Sequence, residues 1–241
     1  MTDKYFFENV DKIIAEQELC INPLWFKGKK ILDAGCGNGR WSYGFAKLGA
    51  KVTAVDFSEG GCTATRKTLA NFSDAEVIKA DLLDLPEAIA SKKYDLVFSW
   101  GVLHHTGKTK EAFRKLAALV KDDGLMYVYL YERPALISFL KVSALRTLLL
   151  PFTFSQKKQI LTFLIKDTKK VHNIFDAVSP TINDTYSFDE VKGWFFEAGF
   201  SKVVRTMPKG GLFVRGSKQK CSAEKYFLPL STPPYWFEKY R

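Results

Sequence analysis

The chain has 241 residues, 46% of them apolar and 26% charged, a balance that suits one globular domain plus an elaboration and excludes wholesale disorder. Four scattered cysteines with no C-x-x-C, and only three histidines, argue against a disulfide framework or a Cys- or His-built metal site and fit a reducing cytosol. The formal charge of +10 is uneven: residues 133–175 hold eight Lys/Arg and one acid, and residues 202–241 hold nine and two. That leaves a mildly acidic remainder with a basic rim, suited to an anionic substrate or surface.

The N-terminus, MTDKYFFENVDKIIAEQE, has no basic stretch leading into an apolar one, so no signal peptide and a cytoplasmic location are expected. Helical spacing of Phe6, Phe7, Val10, Ile13, Ile14 and Leu19 predicts a helix over 5–20, within an N-terminal helical cap of residues 1–27. Lys30–Ala34 reads as a buried strand running into a Gly-rich turn, and Asn38–Leu48 as a helix stopped by Gly49. Lys51–Val55 is a second strand, ending at Asp56, and Ser58–Phe72 a second crossover helix. Ala75–Ala80 and Tyr94–Ser99 are strands. Lys110–Val120 is an amphipathic helix closed by Asp123-Gly124, and Leu125–Tyr131 is a fifth strand. Strands alternating with helices imply parallel βαβ units with right-handed crossovers.

The alternation breaks at Glu132. Residues 134–150 are nearly all apolar, but Lys141 and Arg146 fall mid-segment, which disfavours a membrane span. Residues 156–175 read as a second helix with a Lys-rich face, so 133–185 is expected to be a helical insertion covering the substrate. Ser187 and Glu190 form a capping box for a helix whose buried stripe is Val191, Trp194, Phe195 and Ala198. Two strands follow, Lys202–Met207 and Leu212–Gly216, and the Pro208–Gly211 connection between them implies an antiparallel hairpin. A basic, aromatic tail over 217–241 is expected to pack along the surface.

The residues that carry chemistry begin at Asp33-Ala34-Gly35-Cys36-Gly37-Asn38-Gly39. Glycines here let the backbone turn sharply and approach a ligand closely. A dinucleotide fingerprint wants a third small residue, where this chain has Arg40, and Asp33 would set a carboxylate near a pyrophosphate. A ligand with a cation and no phosphate fits better. Asp56 and Asp81 stand at the ends of the second and third strands, so three acids line the edge where open α/β sheets bind ligands.

D-A-G-C-G-N-G resembles the first motif of the class I S-adenosylmethionine-dependent methyltransferases. The resemblance runs over residues 28–132 and, more weakly, 186–216. It implies a doubly wound, Rossmann-like α/β domain whose seven strands are ordered 3-2-1-4-5-7-6, the last antiparallel. It implies S-adenosyl-L-methionine as cofactor and S-adenosyl-L-homocysteine as product. It also implies that Gly35, Cys36 and Gly37 meet the methionine end and Asp33 orients its ammonium group. Asp56 would take the ribose hydroxyls, Phe57 the adenine face, Asp81 the adenine amino group, and Leu82 a backbone contact. Ser99 and Trp100 would border the cofactor pocket. His104 or His105 can serve as a base and Tyr131 faces the acceptor side, although each also has an ordinary structural role open to it. No metal is expected.

The resemblance thus implies O-, N- or C-methylation of a small molecule, with the basic and apolar insertion suiting a hydrophobic or anionic acceptor and peripheral membrane contact through 133–175. The stretch Phe175–Pro180 looks like a segment of some small-molecule members. Nucleic acid is not expected, because a basic face is not a recognition module. An RNA or protein methyltransferase, and a non-catalytic scaffold, are the alternatives. Nothing in the chain speaks to oligomeric state.

Overall fold

In a computed structural model of the chain, the described residues are 2–134, 136–165, 171, 174, 182 and 184–240. Seven strands form one sheet in the order β3-β2-β1-β4-β5-β7-β6. They are β1 (Lys30–Ala34), β2 (Lys51–Asp56), β3 (Ala75–Lys79), β4 (Tyr94–Trp100), β5 (Val120–Leu130), β6 (Lys202–Met207) and β7 (Leu212–Ser217). The first five pair in parallel, and β7 runs antiparallel to both β5 and β6. The predicted architecture and order are those observed.

Alternate residues of the central strands feed opposite faces, as the period of two requires. Ile31, Leu96, Phe98 and Tyr127 join a core with the N-terminal segment and with α2 (Arg40–Lys47). Leu32, Val97, Met126 and Val128 join a second core on the other face. That one is shared with α5 (Thr109–Ala117) and α8 (Phe188–Glu197), whose Ser187–Glu190 capping box forms as predicted. Between α2 and α5 lie α3 (Glu59–Thr68) and the short α4 (Glu87–Ala90).

Several boundaries differ from expectation. Val120 opens β5 rather than closing α5, because the Tyr94 N–H takes the Leu119 carbonyl (2.9 Å) and Tyr94 pairs with Val120. Asp123-Gly124 therefore lies inside a strand, at a register shift, and a Cβ on Gly124 would stand 3.0 Å from the Asp95 carbonyl. At the N-terminus α1 (Thr2–Lys12) widens into a π-helix over Ile13–Glu18 that buries Glu18 among apolar neighbours. Much of the tail over 217–241 stays partly or fully exposed, but its aromatic end turns inward. Tyr235, Trp236 and Phe237 are buried at the start of α9 (Trp236–Tyr240), Trp236 against Phe6 and Trp41 and Phe237 stacked on Phe213, because that much aromatic area is worth removing from water.

The insertion carries α6 (Leu136–Leu149) and α7 (Phe154–Leu164). Helix α7 starts earlier than predicted because Thr153 and Gln156 make a capping box, and it gives way to an extended Ile165. Residues 166–170, 172–173 and 175, which the prediction placed in this helix, lie outside the described residues, as does the Phe175–Pro180 segment. Among the described residues no helix is long and apolar enough to cross a membrane.

Candidate functional site

The Gly-rich turn follows β1 and is flanked by the C-terminal end of β2 and by the segment after β4. Three of its glycines adopt positive φ: Gly35 (89°), Gly37 (54°) and Gly39 (79°). The Gly35 and Cys36 N–H groups both donate to the Val55 carbonyl, at 2.7 and 2.9 Å, which draws the turn against β2. A Cβ on Gly35 would lie 2.3 Å from Val102 Cγ2, so no other residue fits there without movement. Around Gly37 a Cβ would meet nothing within 4 Å, so this face of the turn is an open cradle.

Asp33 is buried at the base of the turn, and Ser42 Oγ donates to its Oδ2 at 2.5 Å. Burial raises its pKa to about 7, the Ser42 hydrogen bond opposes the rise and the Asp56 charge adds to it. Asp56 ties two loops together. Its Oδ2 accepts the Gly37 N–H (2.9 Å), and its Oδ1 accepts the Ser58 N–H (2.9 Å) and hydroxyl (2.7 Å). A carboxylate offers about four lone-pair sites, so one more donor fits without displacing the Ser58 hydroxyl. Phe57 stands beside it, 72% exposed, on the rim.

The remaining expected cofactor residues divide by role. Asp81 is exposed, its Oδ1 accepts the Leu83 N–H at 2.8 Å, and the Leu82 side chain is buried in the second core. The Cys36 side chain is buried too, and burial pushes its thiol up to about 12. The Ser99 hydroxyl donates to the Ala34 carbonyl at 2.8 Å and so pins β4 to β1. Trp100 stacks on Tyr129, ring centroids 4.5 Å apart, with the Arg40 guanidinium 4.7 Å above its ring. Arg40, which breaks the dinucleotide pattern, thus belongs to the aromatic wall.

His104, His105 and Tyr131 form one cluster. The His104 ring lies 4.0 Å from the Tyr131 ring and 4.1 Å from the His105 ring. His104 is fully buried and neither of its ring nitrogens has a hydrogen-bond partner. Burial, aided by His105, lowers its pKa to about 3, so it is neutral at every ordinary pH. His105 is tied down: its Nδ1 sits 2.8 Å from the Ile182 carbonyl.

Sequence reasoning missed Glu18. It is fully buried, accepts the Tyr127 hydroxyl and accepts the Trp236 indole N–H at 2.6 Å. Burial raises its pKa to about 7 against the pull of those two donors. The available signal was its place four residues after Ile14, on the apolar stripe of the N-terminal helix. Among the described residues no three His, Cys, Asp or Glu side chains come together as a metal would need.

Residues 31–124, from β1 into β5, match a family of methyltransferase domains. The chain is 30% identical over 112 residues to the ubiquinone biosynthesis O-methyltransferase of Glaesserella parasuis serovar 5 (strain SH0165), a match covering 45% of this chain and 48% of that protein. It is 24% identical over 192 residues to the demethylmenaquinone methyltransferase of Staphylococcus epidermidis (strain RP62A), covering 77% of this chain and 73% of the relative. The crystal structure of the magnesium protoporphyrin IX methyltransferase of Synechocystis PCC 6803 with bound SAH superposes with a TM-score of 0.54 at 20% identity. That superposition covers 80% of this chain and 76% of the other, and at this identity it is a likeness of fold. The chain spans about half the length of the first of these relatives and about three quarters of the second.

Proposed function

We propose that this chain is a class I S-adenosylmethionine-dependent methyltransferase, which moves a methyl group from S-adenosyl-L-methionine to a small-molecule nucleophile and releases S-adenosyl-L-homocysteine. The observation that carries the reading is the Asp56 carboxylate bonded across to Gly37 beside an open glycine cradle. This donor and acceptor set suits a ligand with a ribose diol and a cationic end. Asp56 would take the ribose, Asp33 would orient the ammonium group through Gly35–Gly37, and Phe57, Asp81 and Leu82 would border the adenine.

When bound, the cofactor supplies an electrophilic methyl and a neutral leaving group. The protein's task is alignment and exclusion of water. Trp100 and Tyr129 offer a flat wall, and Tyr131 with His104 the far side. The names of the two sequence relatives point to quinone-type rings, and such a wall suits a flat, hydrophobic acceptor. His104, neutral and unpartnered, is placed to accept a hydrogen bond from an acceptor hydroxyl. So weak a base takes a proton only as the new bond puts positive charge on that oxygen, which makes its role chiefly orientation. The four unpaired, buried cysteines suit a reducing compartment such as the cytoplasm.

Calorimetric titration with S-adenosylhomocysteine tests the cofactor site. Wild type binds, and Asp56→Ala binds weaker by roughly 1.5–3 kcal/mol, the range for hydrogen bonds to a charged group, or about 10- to 150-fold. Absence of binding by wild type would leave a methyltransferase fold without the activity. A panel of hydroxylated aromatic acceptors then tests the substrate class.

A further inference from the structure

We infer that the α6–α7 hairpin is a docking surface for an anionic lipid bilayer, which it meets side-on. Three observations carry this: what the hairpin buries, what it exposes, and which charges it lacks.

The hairpin has its own small core, separate from the two that flank the sheet. Among the described residues Leu149, Leu161 and Val171 are buried in it, with Leu145, Ile160, Ile165 and Ile174 packed around them. This core leaves much of the apolar surface uncovered. Phe163 is 87% exposed, Leu150 71%, Leu148 70% and Leu164 67%. With Phe152, half of the ten large exposed apolar side chains of the described residues fall between positions 148 and 164. A soluble surface scatters such residues; a cluster of this kind marks an interaction site.

The charge pattern selects the occupant. From Pro134 to Ile165 the sequence holds Lys141, Arg146, Lys157 and Lys158 and no Asp or Glu. Apolar side chains interleaved with cationic residues, in a segment whose sequence carries no acid, complement acyl chains beneath anionic headgroups. Lysine is depleted at protein–protein interfaces, and three of these four cations are lysines. The helices have 14 and 11 residues, about 21 and 17 Å at ~1.5 Å per residue, too short for a hydrocarbon core of roughly 30 Å. They suit lying in the interface, not crossing it.

The hairpin is joined to the sheet beside the histidine cluster. Where the chain leaves β5 and where it returns to α8, Glu132 bridges to Tyr186, the Arg133 N–H donates to the Tyr186 carbonyl (2.8 Å) and the Tyr186 N–H to the Tyr131 carbonyl (3.0 Å). A docked hairpin therefore holds the His104–Tyr131 end of the sheet near the bilayer. On the methyl-transfer reading proposed above, that is where a hydrophobic acceptor would enter. The docking itself does not depend on that reading.

The test is co-flotation of the full chain with vesicles of phosphatidylcholine alone and of phosphatidylcholine with phosphatidylglycerol. Wild type should float with the anionic vesicles and far less with the neutral ones. The variant L148S/L150S/F163S/L164S should bind the anionic vesicles roughly tenfold or more weakly, since each change withdraws an apolar side chain from the interface. K157E/K158E should lose the preference for phosphatidylglycerol. Circular dichroism of each variant establishes folding without reference to the cofactor, and titration with S-adenosylhomocysteine reads the catalytic proposal separately. The inference is overturned if wild type stays unbound to anionic vesicles, or if the folded serine variant floats as well as wild type does. It is also overturned if sedimentation shows those substitutions dissolving a dimer.

Discussion

Gly35→Ala probes the turn on which the whole site rests. Gly35 has φ 89°, and an added Cβ would stand 2.3, 2.7 and 2.8 Å from Val102 Cγ2, Cγ1 and Cβ. Val102 is β-branched, and its carbonyl accepts the His105 N–H at 2.9 Å, so its side chain cannot swing clear without disturbing the segment after β4. The left-handed backbone costs an alanine about 1–2 kcal/mol and the overpacking about 1–3 kcal/mol. Together these predict a destabilisation of ~2–5 kcal/mol, or a fall in Tm of roughly 5–15 °C for a chain of this size. Val102→Ala removes both γ-carbons but not the Cβ, so it relieves part of the clash. The double variant should be more stable than the sum of the single effects predicts, by ~1 kcal/mol or more. Denaturant unfolding of the four proteins supplies the cycle. A loss below about 1 kcal/mol for Gly35→Ala, with additive behaviour in the double variant, would refute the close approach of turn and segment.

Three further predictions test other parts. Glu18 titrates near 7 when folded against 4.5 as its ordinary value, so the folded state holds its proton more tightly. Its contribution is present below pH 4.5 and lost as pH rises through 7, on the order of 3 kcal/mol. His104, lowered to about 3, acts oppositely: its contribution is present above its ordinary value and lost as pH falls. The readout is therefore the difference between wild type and Glu18→Gln, which should decline from pH 5 to pH 8; a flat difference profile sinks the assignment. His104→Leu should leave stability unchanged or raised, because a buried ring with no hydrogen bond is replaced by an apolar group, while turnover falls about 2- to 10-fold through loss of one orienting hydrogen bond. Full turnover would show that His104 has no part in positioning the acceptor. Ser187→Ala should lower stability by about 1 kcal/mol through loss of the α8 capping box, with S-adenosylhomocysteine binding unchanged.

Which parts could be read from the chain follows from the range of the interactions. The parallel sheet was legible because each strand is a short apolar run set off by glycines and separated by an amphipathic helix, all local patterns. Asp33, Asp56 and Asp81 were legible for the same reason, since strand ends can be counted. Val120 was misassigned because its apolar spacing continues the α5 stripe, and only pairing with Tyr94 across the sheet decides for strand. The hydrogen bond of Ser99 was equally hidden: nothing near it in the chain reveals that its hydroxyl donates to the Ala34 carbonyl, 65 residues away.

The aromatic wall proposed as the acceptor side was the least legible because it is assembled from both ends of the chain. Glu18 and Trp236 are 218 residues apart, yet the indole N–H closes on the carboxyl at 2.6 Å. Tyr127, at the middle of β5, supplies the other donor. A carboxyl in that position has no local rationale, since an acid on an apolar stripe costs burial energy unless distant groups satisfy it. The tail pays that cost by bringing Trp236 across Phe6, Trp41 and Trp100, the last at 6.2 Å between rings. The π-helix at Ile13–Glu18 ends on the acid that receives this contact. The glycine turn and its acids are thus held by the sheet itself, whereas the Trp100–Tyr129 wall proposed to face the acceptor is backed by the two termini. Substitutions at Glu18 or Trp236 should accordingly alter acceptor use before they alter binding of S-adenosylhomocysteine, and titration beside steady-state kinetics on Trp236→Ala separates the two. Equal losses in both would place the termini under the cofactor instead.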